Sequence, residues 1–186
     1  PTAWQLKLDP LDEGTAREWF KRPDDVKGFA DIHVPGPWES AGFTEANPNY
    51  QYPEGVTEKL KIPYDGFAWY KAEFTPPVAW KGRAVFFASG RIDDNDWTYV
   101  NGELVGKTTF DENPQAYAVD RRYTIPEALL KFGQKNSLVI RVFDKWGTGG
   151  VMAPVSIEPD KSILVDSWSP YIDGLDLYDV DAFHNW

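Results

Sequence analysis

Residues 93 to 97 read Asp93-Asp94-Asn95-Asp96-Trp97, four oxygen-bearing side chains in a row followed by an indole. A second group, "FDKWGTGG" at 143 to 150, sets Asp144 two residues before Trp146. Such pairings suit a sugar. Pyranose C–H faces stack on aromatic rings, and hydroxyl edges bond to carboxylates and amides through charge-assisted hydrogen bonds, about twice as strong as neutral ones. Trp97, Trp146, Asp94, Asp96 and Asp144 are therefore the candidate carbohydrate-binding residues, with Tyr50 and Tyr52 on a nearby insert placed to close over them.

Other chemistries fit these residues less well. A glycosidase needs two carboxyls about 5 to 10 Å apart across a cleft, whereas a carboxylate run at a strand end is usually a solvated turn or an acceptor for backbone amides. No catalytic residue is assigned. His33 falls in a strand segment without a triad partner, and His184 lies in the tail. There is no GxSxG, HExxH or phosphate loop, and "GTGGV" at 147 lacks the strand-to-helix context such a loop requires. Calcium takes six to eight oxygens, which "DDND" can begin to supply, but the Gly and distal Glu of an EF-hand loop are missing. No cofactor is required; a structural Ca²⁺ remains open, with its ligands unassigned.

Composition narrows the partners. With 19 Lys plus Arg against 29 Asp plus Glu, the net charge of −10 argues against nucleic acid or an anionic membrane surface. Residues 158 to 186 hold seven acids and one base, so most of the excess sits in the tail. Arg91, Arg121 and Arg122 are expected to pair with surplus acids at the surface. No apolar run reaches the ~18 residues of a membrane span. Without Cys there is no disulfide or thiolate chemistry, and secretion stays compatible because 186 residues can bury a sufficient core. The chain reads as one domain trimmed from something longer, with a core over about 4–165 and an acidic, aromatic tail over 166–186.

The elements that must position these residues are strands. Many short runs rich in Val, Ile, Phe, Tyr and Trp are punctuated by 15 Gly and 15 Pro, with no long helical period. Strands are expected at 4–8, 31–34, 68–74, 83–89, 97–100, 103–105, 117–119, 137–143 and 162–165, which points to a sandwich. "RAVFFAS" and "SLVIRVF" read as strands covered on both faces. Asn101-Gly102 between strand segments predicts a tight hairpin. Short helical turns are expected at "TARE", with Thr15 and Glu18 as a capping box, and at "TIPEALLKFG", with Thr124 and Glu127 boxed and Gly133 as the stop. Residues 44 to 66 read as a long loop excursion. Trp4, Trp19, Trp38, Trp69, Tyr70 and Trp80 are expected in the core.

Five segments occur together in a familiar order: "VPGPWES" (34–40), "DGFAWYKAEFTPP" (65–77), "WKGRAVFFASGRIDDNDWTYVNGELVG" (80–106), "YTIPEALLKFGQKNSLVIRVFD" (123–144) and "GTGGV" (147–151). Over roughly residues 4 to 157 the chain resembles the sugar-binding jelly-roll domain of glycoside hydrolase family 2 enzymes. It is also similar to galactose-binding-like carbohydrate-binding modules and to the jelly-roll part of sialate O-acetylesterases. The resemblance implies an all-β jelly-roll sandwich. It implies a noncatalytic carbohydrate-binding module for a neutral poly- or oligosaccharide, extracellular and ancillary to a glycoside hydrolase whose catalytic acids lie in a neighbouring domain. The alternative is a fragment whose sandwich completes an active site in that neighbour. The chain departs from the family's usual pattern in its Tyr-bearing insert, in Trp97 and in the acidic tail.

Overall fold

The computed structural model describes residues 1, 3–46 and 61–161, and every strand pairing among them is antiparallel. In chain order the strands are β1 (Trp4–Asp9), β2 (Ala30–Ile32), β3 (Thr44–Ala46), β4 (Lys61–Pro63), β5 (Gly66–Phe74), β6 (Val85–Ser89), β7 (Ile92–Asp93), β8 (Asn95–Val100), β9 (Glu103–Thr108), β10 (Arg121–Ile125), β11 (Asn136–Asp144), β12 (Gly150–Val151) and β13 (Val155–Pro159). One sheet has the order β2-β1-β5-β11-β8-β9 and another β10-β6-β13, while β12-β7 and β3-β4 form small ladders. The chain crosses between the two larger sheets five times, after β5, β9 and β10 directly and after β6 and β11 by way of β7 and β12, so most neighbours in space are not neighbours in sequence. The result is the all-β sandwich that the strand pattern predicts.

Alternation decides which residues fill the interior. Leu6, Tyr70, Leu138, Ile140, Val142 and Val100 from the large sheet meet Val85, Phe87 and Ile125 from the small one in a single buried cluster. Central strand β11 is covered on both sides, as expected, because Val139 on its outer face belongs to a second cluster with Trp19, Trp69 and Tyr99. That outer layer is built by the connection between β1 and β2. Asp9 anchors it: one carboxylate oxygen accepts the Glu13 amide, and the other accepts the Gly14 amide and the Trp69 indole N–H, all at 2.9 Å. Phe20 then stacks on Tyr99, with centroids 4.5 Å apart.

Several expectations are corrected. Strand β6 is one-sided: Val85 and Phe87 point inward, while Phe86 lies under the Arg122 guanidinium at 3.9 Å from the ring centroid. Residues 117 and 118 belong to a 3-10 turn (Ala116–Ala118) rather than a strand, and Val119 is the extended residue that follows it. Thr124 and Ile125 belong to β10, because Ile125 enters the core and Pro126 continues in extended geometry; only Glu127–Leu129 makes a 3-10 turn. The capping box at Thr15 does not form. Glu18 takes a positive φ of 53° and directs its carboxylate to Lys21 at 2.6 Å. Strand β13 carries no clean alternation and was not expected. The insert residues 47–60, with Tyr50 and Tyr52, and the segment 162–186, with the expected strand at 162–165, lie outside the described residues.

The Asn101-Gly102 hairpin is present, with φ of 50° and 87° at its two central residues and Val100 paired to Glu103. Along the same hairpin, Gly106 has a tight neighbour: a Cβ there would lie 2.1 Å from the Tyr123 ring. Gly106→Ala is expected to destabilise the domain by about 1–3 kcal/mol through overpacking. In thermal denaturation this is a fall in Tm of roughly 2–12 °C for a chain of this size.

Candidate functional site

The acidic run sits where β7 passes into β8, and its side chains divide between very different surroundings. Asp96 points into the sandwich and is fully buried against Arg121, with Nε to Oδ1 at 2.8 Å. Its other contacts are Thr98 Oγ1, donating to Oδ2 at 2.9 Å, and the Tyr123 hydroxyl, donating to both oxygens at 2.9 and 3.1 Å. Burial and the nearby Asp96 charge push the Tyr123 hydroxyl well above its ordinary pKa, so it keeps its proton as a donor. That proton goes to Asp96, leaving Thr108 as the donor across the 2.7 Å contact between the two hydroxyls.

Arg121 uses all five of its N–H groups. Besides Asp96, it donates to the carbonyls of Ala116 at 2.6 Å, Val119, Ile92 at 2.9 Å and Asp94 at 2.8 Å. The acidic segment is thereby fastened from beneath to β10 and to the turn before it. Asp96 has no oxygen left for a sugar, which corrects its assignment as a contact residue. Arg121, expected at the surface, is 1% exposed. No signal in the sequence marks this pair, because the run from Asp93 to Asp96 has no alternation that would assign Asp96 to the inner face.

Asp94, by contrast, meets Asp144. The Asp94 amide donates to the Phe143 carbonyl at 3.0 Å, which draws the end of β11 against the acidic loop. Asp94 Oδ2 accepts the Lys145 amide at 2.9 Å, and Asp144 Oδ1 accepts the Trp146 amide at 3.3 Å. Oxygens of Asp93, Asp94 and Asp144 lie within 4.8 Å of one another. Burial and the neighbouring Asp94 push Asp93 up to about 6. Asp144 is pushed up to about 7, first by burial and then by the charges of Asp94, Asp65 and Asp93. Glu39 is raised as well, by burial and by Asp65. Glu39 Oε1 accepts the Gly149 amide at 3.3 Å, so the 3-10 turn Trp38–Ala41 joins this end of the molecule. Neither Glu39 nor Asp65 was singled out from sequence, because each sits in a segment that reads as packing around an aromatic.

Trp146 is 77% exposed on the loop that these acids hold. Below that loop Trp38 is completely buried, and a Cβ at Gly149 would come within 2.1 Å of its ring. Trp97 lies elsewhere: it points to the outer face of the large sheet, half-buried, with the Arg141 guanidinium 4.6 Å from its centroid and Phe67 beside it. Asp94 (5% exposed) and Asp144 (0%) sit under the loop rather than on its rim. The structure thus brings Asp94, Asp144 and Trp146 together and leaves Trp97 and Asp96 apart from them. A sugar ring cannot enter between carboxyls so buried, so the arrangement suits holding the loop, sharing a proton or taking a cation. Of the two histidines, His33 is exposed and meets the Pro35 carbonyl at 3.1 Å.

No protein-family model matches the chain. A curated β-galactosidase from Priestia megaterium is 23% identical over 123 residues, which is 63% of this chain and 12% of that protein. A solved Ruminococcus gnavus β-glucuronidase is 19% identical and superposes with a TM-score of 0.58 over 78% of this chain and 20% of its own. The same enzyme solved with D-glucuronic acid gives 0.58, covering 78% of this chain and 21% of its own. The chain therefore spans about an eighth of the curated relative and about a fifth of the solved enzymes. The structural likeness shows the sandwich fold, and together with the sequence likeness it is consistent with a domain related to family 2 glycoside hydrolases.

Removing the cation from the buried pair should be costly. Arg121→Met leaves the buried Asp96 without its counter-charge and takes the guanidinium donors from four carbonyls, and chemical denaturation is expected to show a loss of about 3–5 kcal/mol. Arg121→Lys keeps the charge but not the planar fork, so it is expected to recover only a minor part of that loss.

Proposed function

We propose that this domain is a noncatalytic carbohydrate-binding module, ancillary to a glycoside hydrolase, that takes a neutral poly- or oligosaccharide on the loop following β11. The observation that carries this reading is Trp146, the only tryptophan among the described residues whose indole is mainly in solvent. An exposed indole costs solubility unless something stacks on it, and the C–H face of a pyranose is such a surface. Asp94 and Asp144 support the platform by fixing the Lys145 and Trp146 amides. The half-buried Asp93 at the loop margin supplies a hydroxyl acceptor. Likeness to a β-galactosidase and a β-glucuronidase is in keeping with a sugar ligand.

A second reading draws on coverage: because the chain spans only a fifth of the solved enzymes it superposes on, the same loop could instead close over an active site in a neighbouring catalytic domain. Affinity electrophoresis separates the two. The wild-type chain is run against soluble glucans, mannans, xylans, galactans and pectins, beside Trp146→Ala and Trp97→Ala. We expect retardation by one polysaccharide class, lost in Trp146→Ala and kept in Trp97→Ala, whose ring packs on Arg141. If no polysaccharide retards the wild type, stand-alone binding is refuted. Loss of activity on Trp146→Ala in the parent enzyme would then support the second reading.

A further inference from the structure

We propose that Asp93, Asp94 and Asp144 hold a hard divalent cation, calcium by preference, beneath the loop that carries Trp146. The geometry is the first support. Two oxygens on opposite sides of a calcium ion, each about 2.4 Å from it, are about 4.8 Å apart, and one oxygen from each of the three carboxylates falls within that span of the others. Magnesium, with oxygens at about 2.0–2.1 Å in strict octahedral array, tolerates a narrower set of ligand positions than calcium.

The second support is Asp144 itself. Its side chain is completely buried, Oδ1 is taken by the Trp146 amide, and Oδ2 has no hydrogen-bond partner. An unsatisfied buried carboxylate oxygen is expensive, and native structures normally satisfy it with a donor, a water or an ion. Here no Lys or Arg among the described residues forms an ion pair with any of the three acids. Arg121 reaches only the Asp94 carbonyl and spends its charge on Asp96, and Arg91 acts on Asp93 through space without forming an ion pair. Asp65 adds its charge at Asp144 from the other side. The cluster is therefore negative, with two of its three carboxyls buried and no ion pair among the described residues, and it offers the oxygen ligands that calcium selects. A bound ion would tie β7, β8 and the end of β11 together at one point.

The test uses the 186-residue chain after treatment with EGTA. Calorimetric titration with CaCl₂ is expected to give a single saturable site, with a Tm gain of roughly 5–10 °C once calcium exceeds its Kd 100-fold. MgCl₂ is expected to give a smaller gain. Asp144→Asn and Asp93→Asn should each lose the calcium-dependent gain while melting in EGTA no lower than wild type, because each also relieves repulsion. Should Asp144→Asn fail to fold, the half-buried Asp93→Asn carries the comparison. Absence of both heat and Tm shift up to about 10 mM CaCl₂, well above the weakest calcium modules, would overturn the proposal in favour of a proton shared among the acids. A shift that survives both substitutions would overturn the location, and equal gains with MgCl₂ the preference for calcium. Neither readout involves a carbohydrate, so failure here leaves the sugar-binding reading standing.

Discussion

The Arg121 guanidinium is the constraint on which this end of the molecule depends. Its five donors meet one carboxylate and four carbonyls, and those acceptors come from β7, the residue after it, the start of β8 and the turn preceding β10. A buried ion pair adds little stability over a well-packed apolar substitute, since desolvation offsets most of the attraction. Its effect here is positional. Planar and fully satisfied, Arg121 leaves the segment from Ile92 to Asp96 one place to be, so every neighbouring acid inherits a defined position.

From that fixed segment the site follows by strand register. β8 pairs with β11 so that Phe143 faces Asn95, and the next residue in each direction brings Asp144 to Asp94. The loop after β11 then leaves the sheet with its first two amides bound to those acids. Trp146 is held outward because its own backbone is held inward. Gly149 lies against the Trp38 ring, leaving no room for a side chain there. One rigid strand end thus supports both a buried charge cluster and an exposed ring.

Much of the fold was legible because it rests on local rules. The Asn101-Gly102 turn, the two-sided apolar run of β11 and the aromatic cores all announce themselves within a few residues. The helix expected from Thr124 failed because a capping motif is local, whereas Ile125 was claimed by a core assembled from distant strands. At the site, Asp144 beside Trp146 could be read from spacing, and its closeness to Asp94 from the tendency of sandwich loops to gather at one end. That Asp96 turns inward while Asp94 does not could not be read, since four consecutive polar residues carry no alternation to set their faces. Glu39 and Asp65 were hidden for a related reason: their segments are dominated by aromatics, and only the tertiary fold shows that both back onto the same loop.

The layer formed between β1 and β2 has a consequence of its own. Its cluster of Trp19, Trp69, Tyr99 and Val139 shares no member with the interior between the sheets, although both rest on the same strands. The large sheet thus separates two apolar compartments, and the outer one closes over a much smaller area. Local opening free energies follow how much is buried, so amide exchange should divide along this boundary. Opening the outer layer would expose less apolar surface than opening the sandwich that carries Trp146.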